Sequence, residues 1–118
     1  MTRSTYKAGM AAERLAALVL RLKGYRILAH RYKTPVGEID LIARRGRVLA
    51  FIEVKSRKNK AGALDSVTPH MQSRIERAAH YYIAGHKKAA AAEFRFDVFV
   101  VMPPFFWQHL DNAWRPRA

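Results

Sequence analysis

The chain contains no cysteine among its 118 residues, which excludes a disulfide framework and any metal site built from thiolates. Long hydrophobic runs are also missing, because the apolar stretches near residues 16–20 and 98–102 are far too short to cross a bilayer. Neither a signal sequence nor a membrane span is indicated. We therefore expect a cytoplasmic protein.

Acidic residues are scarce, with 9 aspartates and glutamates against 22 lysines and arginines and a formal net charge of +13. A small domain with this imbalance attracts polyanions, because neutralising phosphates releases their counterions. Nucleic acid is therefore the first candidate partner, and an anionic membrane surface is the second. Between the two we expect nucleic acid and no membrane partner. A scaffold role on RNA or on the ribosome agrees with the same composition and stays open.

A length of 118 residues predicts one domain, residues 1–118, with a basic tail at about residues 115–118. The predicted helices span residues 7–23 and 69–85, and the predicted strands span residues 25–32, 37–44, 47–56, 94–102 and 106–110. Residues 57–66 lack periodicity and are read as a mobile loop. The order of elements predicts an α/β fold with a mixed central sheet flanked by helices.

The first predicted helix carries an apolar stripe at 4-3-4 spacing, expected to face the core, formed by Ala11, Leu15, Leu18 and Leu22. Glu13 has no ion-pair partner three or four residues away on this helix. It is either a solvated glutamate or a carboxylate directed at a site between the helix and the sheet.

Charged residues interrupt two stretches that are otherwise apolar and strongly β-forming. Glu38 and Asp40 lie in the second predicted strand, and Glu53 and Lys55 lie in the third. Charges inside such strands cost free energy unless something compensates them, and a bound metal ion would do so. An ordinary solvated hairpin face is the alternative interpretation.

The turn between these strands sets their register. A two-residue loop at residues 45–46 would pair Arg44 with Arg47 and place Asp40 opposite Phe51. Because side chains alternate, the four charged residues would share one face, with Asp40 diagonal to Glu53 and their Cβ atoms about 7 Å apart. Two carboxylates at this separation can bind one hard cation.

The chemistry that fits such a cluster is phosphodiester hydrolysis. Mg²⁺ takes oxygen ligands and activates water, whereas the lack of cysteine and of clustered histidine argues against zinc. Lys55 follows Glu53 by two residues on the same strand face. Its ammonium could orient the attacking water or stabilise charge that develops on the phosphate.

At these positions the sequence resembles the PD-(D/E)XK nuclease superfamily, because Asp40, Glu53, Val54 and Lys55 match its D…(D/E)-X-K core. Ile39 stands where the name of the superfamily has proline. Over nearly the whole chain the sequence resembles the bacterial YraN-type family. The stretches that carry this wider resemblance are residues 37–43, 51–55, 66–68 with Gln72, 95–98 and 112–114.

The resemblance implies a restriction-endonuclease-like α-β-β-β-α-β core and a metal-dependent endonuclease that hydrolyses phosphodiester bonds in DNA, with branched or single-stranded DNA as open substrates. It implies Mg²⁺ or Mn²⁺ held by Asp40, Glu53 and Glu13, with Lys55 as the catalytic lysine. Gln72 would face the site from the second helix, where Met71 replaces the usual lysine. Archaeal Holliday-junction resolvases are related to this family, and analogy with junction cutters suggests a homodimer.

A nucleic-acid-binding module of the same fold, without turnover, is the alternative function. Phosphate contacts are expected from a basic cluster at one hairpin end and in the following loop, formed by Arg44, Arg45, Arg47, Arg57, Lys58 and Lys60. A solvated run of charges is the alternative for this cluster. Asp97 is expected either in a structural pair or at the site. A core or dimer contact is favoured over base stacking for the aromatic C-terminal residues, namely Phe105, Phe106, Trp107 and Trp114.

Overall fold

The computed structural model describes residues 3–116, with side chains from residue 9 onward. The helices are α1 (Arg3–Leu22), α2 (Lys60–Ser66) and α3 (Pro69–Gly85), followed by a 3-10 turn at Lys87–Ala91. The strands are β1 (Arg26–Thr34), β2 (Gly37–Arg45), β3 (Val48–Ser56), β4 (Glu93–Met102) and β5 (Phe106–Trp114). No helix within residues 3–116 is long and apolar enough to cross a membrane.

The five strands form one mixed sheet in the order β1-β2-β3-β4-β5. Strands β3 and β4 are parallel, and every other neighbouring pair is antiparallel. The crossover from β3 to β4 contains α2 and α3, which lie on one face of the sheet, while α1 packs on the other face. The prediction of a mixed α/β sheet flanked by helices is confirmed.

Helix α3 begins where the sequence predicts it. The hydroxyl oxygen of Thr68 accepts a hydrogen bond from the Met71 backbone N–H at 3.2 Å, and Pro69 occupies the first helical position. Ile75 and Tyr82 then pack into the core on this face of the sheet. Local capping chemistry and apolar spacing therefore agree with the tertiary structure in this element.

The prediction for the buried face of α1 is wrong. Leu18 and Leu22 are 54% and 80% exposed, whereas Ala16 and Leu20 are fully buried. Alanine on the packed face lets the helix backbone approach the sheet closely, so that it meets apolar side chains such as Ile52. A prediction based on the leucine spacing therefore identifies the wrong face of this helix as the buried one.

Residues 57–66 are not a loop throughout, since they contain the seven-residue helix α2. The Asn59 side chain caps this helix by accepting a hydrogen bond from the Gly62 backbone N–H at 2.7 Å. Ala63, within this helix, is fully buried, and Val67, which follows it, is nearly so. A helix of two turns is too short to show apolar periodicity, which explains why the sequence did not predict it.

Strand β5 extends four residues beyond the predicted end, to Trp114. The indole ring of Trp114 stacks on Phe96 with centroids 5.2 Å apart, and its Nε1 donates to Glu76 Oε2 at 2.9 Å. These two contacts, both distant in sequence, hold the strand in place. Arg115 and Pro116 follow without regular structure, and residues 117–118 of the predicted tail lie outside the described residues.

Candidate functional site

The hairpin of β2 and β3 brings two acidic residues face to face. The turn occupies residues 46–47, so that Arg45 pairs with Val48, and pairing continues to Leu41 and Ile52. One further step along each strand sets Asp40 directly opposite Glu53. The predicted register, with a diagonal arrangement, is therefore wrong by two residues between the strands, but the shared face survives because side chains alternate with a period of two.

Contacts outside the hairpin explain the difference in register. Gly46, with φ of 61°, takes the first position of the turn, and Arg45 continues the strand instead. The guanidinium of Arg45 lies 4.5 Å from the centre of the Tyr25 ring and donates from Nη1 to the Lys23 carbonyl oxygen at 3.1 Å. These contacts with the end of α1 favour the longer strand, and none of them is visible in the hairpin sequence.

Asp40 is held by the backbone of the neighbouring strand. The Val54 N–H donates to Asp40 Oδ2 at 2.8 Å, just beyond the last paired residues of β2 and β3. A carboxylate oxygen thus accepts the bond of a main-chain donor at the point where the ladder ends. The orientation of the Asp40 carboxylate is consequently fixed by the sheet itself.

Glu53 is a buried carboxyl group, with only 9% of the residue exposed. Burial, together with hydrogen bonding to and repulsion by Asp40, raises the pKa of Glu53 to about 9. The Lys55 ammonium lies 3.4 Å from Glu53 Oε2 and opposes this rise without cancelling it. Ionisation of both acids at once is therefore unfavourable, and either a proton or a cation between them would relieve the repulsion.

The two acids and Lys55 line a cavity of about 520 Å³. Its walls come from the start of β2, the end of β3, helix α1 and the N-terminal turns of α3. The charged and titratable side chains around it are Glu13, Glu38, Asp40, Glu53, Lys55, His70 and Arg74. The predicted strand cluster and the predicted helix glutamate thus meet in one cavity.

Glu13 lines this cavity in an ion pair with Arg31. The Arg31 guanidinium donates from Nη2 to Glu13 Oε2 at 2.8 Å and from Nε to both carboxylate oxygens at 3.2 Å. Arg31 lies within β1 at the position opposite Asp40 and has φ of 49°, which is unusual for a non-glycine residue. No local sequence pattern indicates this pair, because its members are 18 residues apart.

The carboxylates around the cavity offer oxygen ligands of the kind that a hard cation needs. Among the described side chains, no three acidic or histidine groups converge closely enough to hold a metal ion. Asp40 and Glu53 do fit such an ion, because both offer oxygen ligands and their mutual repulsion would be relieved by positive charge. Glu13 would join them only after leaving Arg31.

Comparison with known proteins places the chain in a family. A family model described as "Uncharacterised protein family UPF0102" matches residues 12–101. The chain belongs to this family. A UPF0102 protein from Parvibaculum lavamentivorans is 48% identical over 113 residues, covering 96% of this chain and 85% of that protein. Another, from Chelativorans sp., is 46% identical over 112 residues, covering 95% and 90%. The predicted YraN-type membership is confirmed.

A solved structure is also similar to this UPF0102 chain. It is the structure of Archaeoglobus fulgidus Hjc, a Holliday junction resolvase from an archaeal hyperthermophile. The two share 20% sequence identity with a TM-score of 0.46, over 87% of this chain and 76% of that chain.

Helix α3 of the UPF0102 chain contributes different residues to the cavity from the one expected. Gln72 is absent from the cavity wall, and its Nε2 donates to the Val67 carbonyl oxygen at 3.1 Å. Met71, His70 and Arg74 line the cavity instead. Residues 71 and 74 are three apart and therefore share a helix face, which is the sequence signal that could have indicated Arg74.

The six basic residues expected to bind phosphate do not form one cluster. Arg44, Arg45 and Arg47 lie around the β2–β3 turn, at the end of the hairpin away from Asp40. The other three follow the cavity end of β3 and are exposed, namely Arg57, Lys58 and Lys60. The structure therefore divides the set, and only the second group lies beside the candidate site.

Asp97 belongs to a closed network on the α1 face of the sheet. Its carboxylate accepts two bonds from Arg95 at 2.8 Å, one from His109 Nε2 at 2.8 Å and one from the Asn112 N–H at 3.0 Å. Burial alone would raise the pKa of Asp97, but these hydrogen bonds and the Arg95 charge outweigh it and hold the pKa below its usual range. The arrangement supports a structural role for Asp97.

Proposed function

We propose that this UPF0102 protein is a metal-dependent nuclease that hydrolyses phosphodiester bonds in DNA. The observation that carries the proposal is the convergence of Asp40, the buried Glu53 and Lys55 on one cavity wall. Repulsion between the two acids is the electrostatic condition that a divalent cation would satisfy. Lys55, at 3.4 Å from Glu53, is close enough to act on a substrate held at the same place.

The proposed roles follow from position. Asp40 and Glu53 would hold Mg²⁺ or Mn²⁺, with Glu13 as a third ligand once released by Arg31. Such an ion supplies polarisation of a phosphoryl oxygen and a lowered pKa for water. The Val54 N–H keeps Asp40 oriented, and the low exposure of Glu53 limits competing water. The Lys55 ammonium would donate a hydrogen bond to the attacking water or to the charged phosphate.

The surroundings of the cavity agree with a polyanionic substrate. Arg74 lines the cavity opposite the strand carboxylates, and exposed cations follow β3 directly, namely Arg57, Lys58 and Lys60. Such residues position a nucleic acid through its phosphates without reading its sequence. We propose that these four cations orient the strand to be cut, while the net charge of +13 favours encounter.

A direct test compares cleavage and binding by the purified protein and its Asp40→Asn variant. Wild type should cut a panel of single-stranded, duplex and branched DNA in Mg²⁺ or Mn²⁺. Asp40→Asn should lose at least about a hundredfold in rate, while its DNA affinity in EDTA stays within about twofold. The matched control is Asp65→Asn, an exposed aspartate on α2 that should cut like wild type. Equal cutting by all three proteins would reject the proposal.

One observation favours a second candidate, a nucleic-acid-binding module without turnover. Glu13 is bound by Arg31 through three hydrogen-bond contacts, which withholds one of the three expected ligands from a metal ion. This candidate predicts salt-sensitive DNA binding that does not change when divalent ions are removed. A homodimer, expected by analogy, stays a prediction under either function.

A further inference from the structure

The aromatic residues near the C-terminus divide into two groups. Trp107 stacks on Phe99 with centroids 5.6 Å apart, and Trp114 stacks on Phe96. Phe105 and Phe106 differ, with exposures of 87% and 68%. Two consecutive phenylalanine residues exposed to water are informative, because clustered exposed apolar side chains mark contact surfaces, whereas a single exposed one is ordinary.

The register of the sheet places this phenylalanine pair at the cavity end of the molecule. Strands β3 and β4 are parallel, so both end at the same edge, where Ser56 pairs with Val101. The Arg57 N–H continues this contact by donating to the Val101 carbonyl oxygen at 3.0 Å. The turn at residues 103–105 follows directly and leads into Phe106.

Phe106 also lies on the same face of the sheet as the candidate catalytic residues. It pairs with Met102, two residues after Val100, and Val100 pairs with Lys55. With strands about 4.8 Å apart and residues about 3.4 Å apart, the Cα atoms of Lys55 and Phe106 are separated by roughly 12 Å. A DNA strand held at the cavity would therefore reach Phe106 within a few nucleotides.

The charge around the phenylalanine pair identifies the kind of partner. Residues 56–62 and 101–110, which meet at this edge, contain the cations Arg57, Lys58 and Lys60 and no acidic residue. A partner must therefore combine negative charge with a flat apolar surface. Nucleic acid with unpaired bases has both, whereas a second copy docked on this same patch would bring like charges together.

We propose that Phe105 and Phe106 form a stacking platform for unpaired bases, while Arg57, Lys58 and Lys60 contact the adjoining phosphates. This inference rests on the proposed function and specifies its substrate class, which is DNA with a single-stranded segment next to the site of cleavage. Bases inside a duplex are stacked on both faces, but an unpaired base offers a face to an aromatic ring. Such stacking tolerates any sequence.

The test measures binding in EDTA at fixed salt, by fluorescence anisotropy, with a single strand, its matched duplex and a forked duplex. The double variant Phe105→Ala/Phe106→Ala should bind the single strand and the fork at least about tenfold more weakly, and the duplex within about twofold of wild type. Phe106→Trp should retain tight binding, since tryptophan also stacks. Leu22→Ala is the matched control, because this residue is 80% exposed and lies outside the cavity wall.

Three results would overturn the inference. One is equal affinity of wild type for single strand and duplex, and another is an equal loss on all three probes in the double variant. The third is a double variant that binds single strands like wild type but no longer forms a dimer, or no longer binds anionic vesicles. That result would mean that the two phenylalanines contact a second copy or a membrane. Because no cleavage occurs in EDTA, the inference and the proposed function fail separately. Phenylalanine-dependent single-strand binding without any cutting would reject hydrolysis alone, and cutting indifferent to both phenylalanines would reject this inference alone.

Discussion

The backbone N–H of Val54 donates to Oδ2 of Asp40 at 2.8 Å, where pairing between β2 and β3 has just ended. The carboxylate takes the place of a main-chain acceptor, so its orientation is a property of the sheet. An asparagine at this position keeps an acceptor oxygen for the same bond. Asp40→Asn therefore removes the charge and leaves the local fold in place, which makes it a cleaner test of catalysis than alanine.

Glu53 should make the metal-free protein less stable as the pH rises. Burial and Asp40 raise its pKa from the ordinary 4.5 to about 9. The stability that Glu53 contributes is therefore complete below about pH 4.5 and is lost as the pH rises through about 9, because the folded state binds the proton more tightly. Urea denaturation in EDTA between pH 5 and 9 should show a steady fall in the free energy of unfolding.

The variant Glu53→Gln should flatten that pH dependence and be more stable than wild type at pH 8 by at least about 1 kcal/mol, since a tenfold change in proton affinity is worth about 1.4 kcal/mol. The matched control is Glu93→Gln, an exposed acid that should follow the wild-type curve. Parallel curves for wild type and Glu53→Gln would contradict the raised pKa.

Loss of the Asp97 carboxylate should strongly destabilise the fold. Asp97→Asn removes the charge that compensates Arg95 inside the protein, and breaking a buried pair in this way costs about 3 kcal/mol or more. The pKa of Asp97 is lowered, so this stability is present above the ordinary value of 3.8 and is lost as the pH falls through the folded-state value. Asp111→Asn, an exposed neighbour on β5, should cost under about 0.5 kcal/mol by urea denaturation.

Arg31 should compete with a metal ion for Glu13. Arg31→Asn removes the cation and retains a residue type that tolerates positive φ. Calorimetric titration with Mn²⁺ should show an affinity up to about fivefold higher, because a partly exposed ion pair is worth at most about 1 kcal/mol. Glu13→Gln should show weaker binding. Weaker Mn²⁺ binding in Arg31→Asn would instead mean that the arginine positions Glu13 for the ion.

Gly37 should tolerate no side chain. A Cβ atom there would lie 2.4 Å from the carbonyl oxygen of Arg74, so the start of β2 and helix α3 would have to separate. We expect Gly37→Ala to cost about 1–3 kcal/mol in thermal or urea denaturation. Gly85→Ala is the matched control, since nothing lies within 4 Å of its added atom, and alanine at this helical position should be neutral or slightly stabilising. Wild-type stability in Gly37→Ala would contradict this prediction, because it would show that the contact with Arg74 is relieved without cost.

Local chemistry explains which elements the sequence predicted well. The start of α3 follows from Thr68 and Pro69, and the hairpin strands follow from alternating apolar residues around a glycine. Elements whose position depends on distant contacts were predicted poorly. Helix α1 buries alanines because the sheet lies close to them. Strand β5 continues because Trp114 stacks on Phe96 and donates a hydrogen bond to Glu76.

The placement of Asp40, Glu53 and Lys55 on one face of a hairpin follows from the sequence alone. Alternation with a period of two produces this result, and a two-residue difference in register leaves it unchanged. The surroundings of the site depend on how the whole chain folds. The pairing of Glu13 with Arg31 and the exposure of Phe105 depend on how segments far apart in the chain are arranged, which no local pattern encodes.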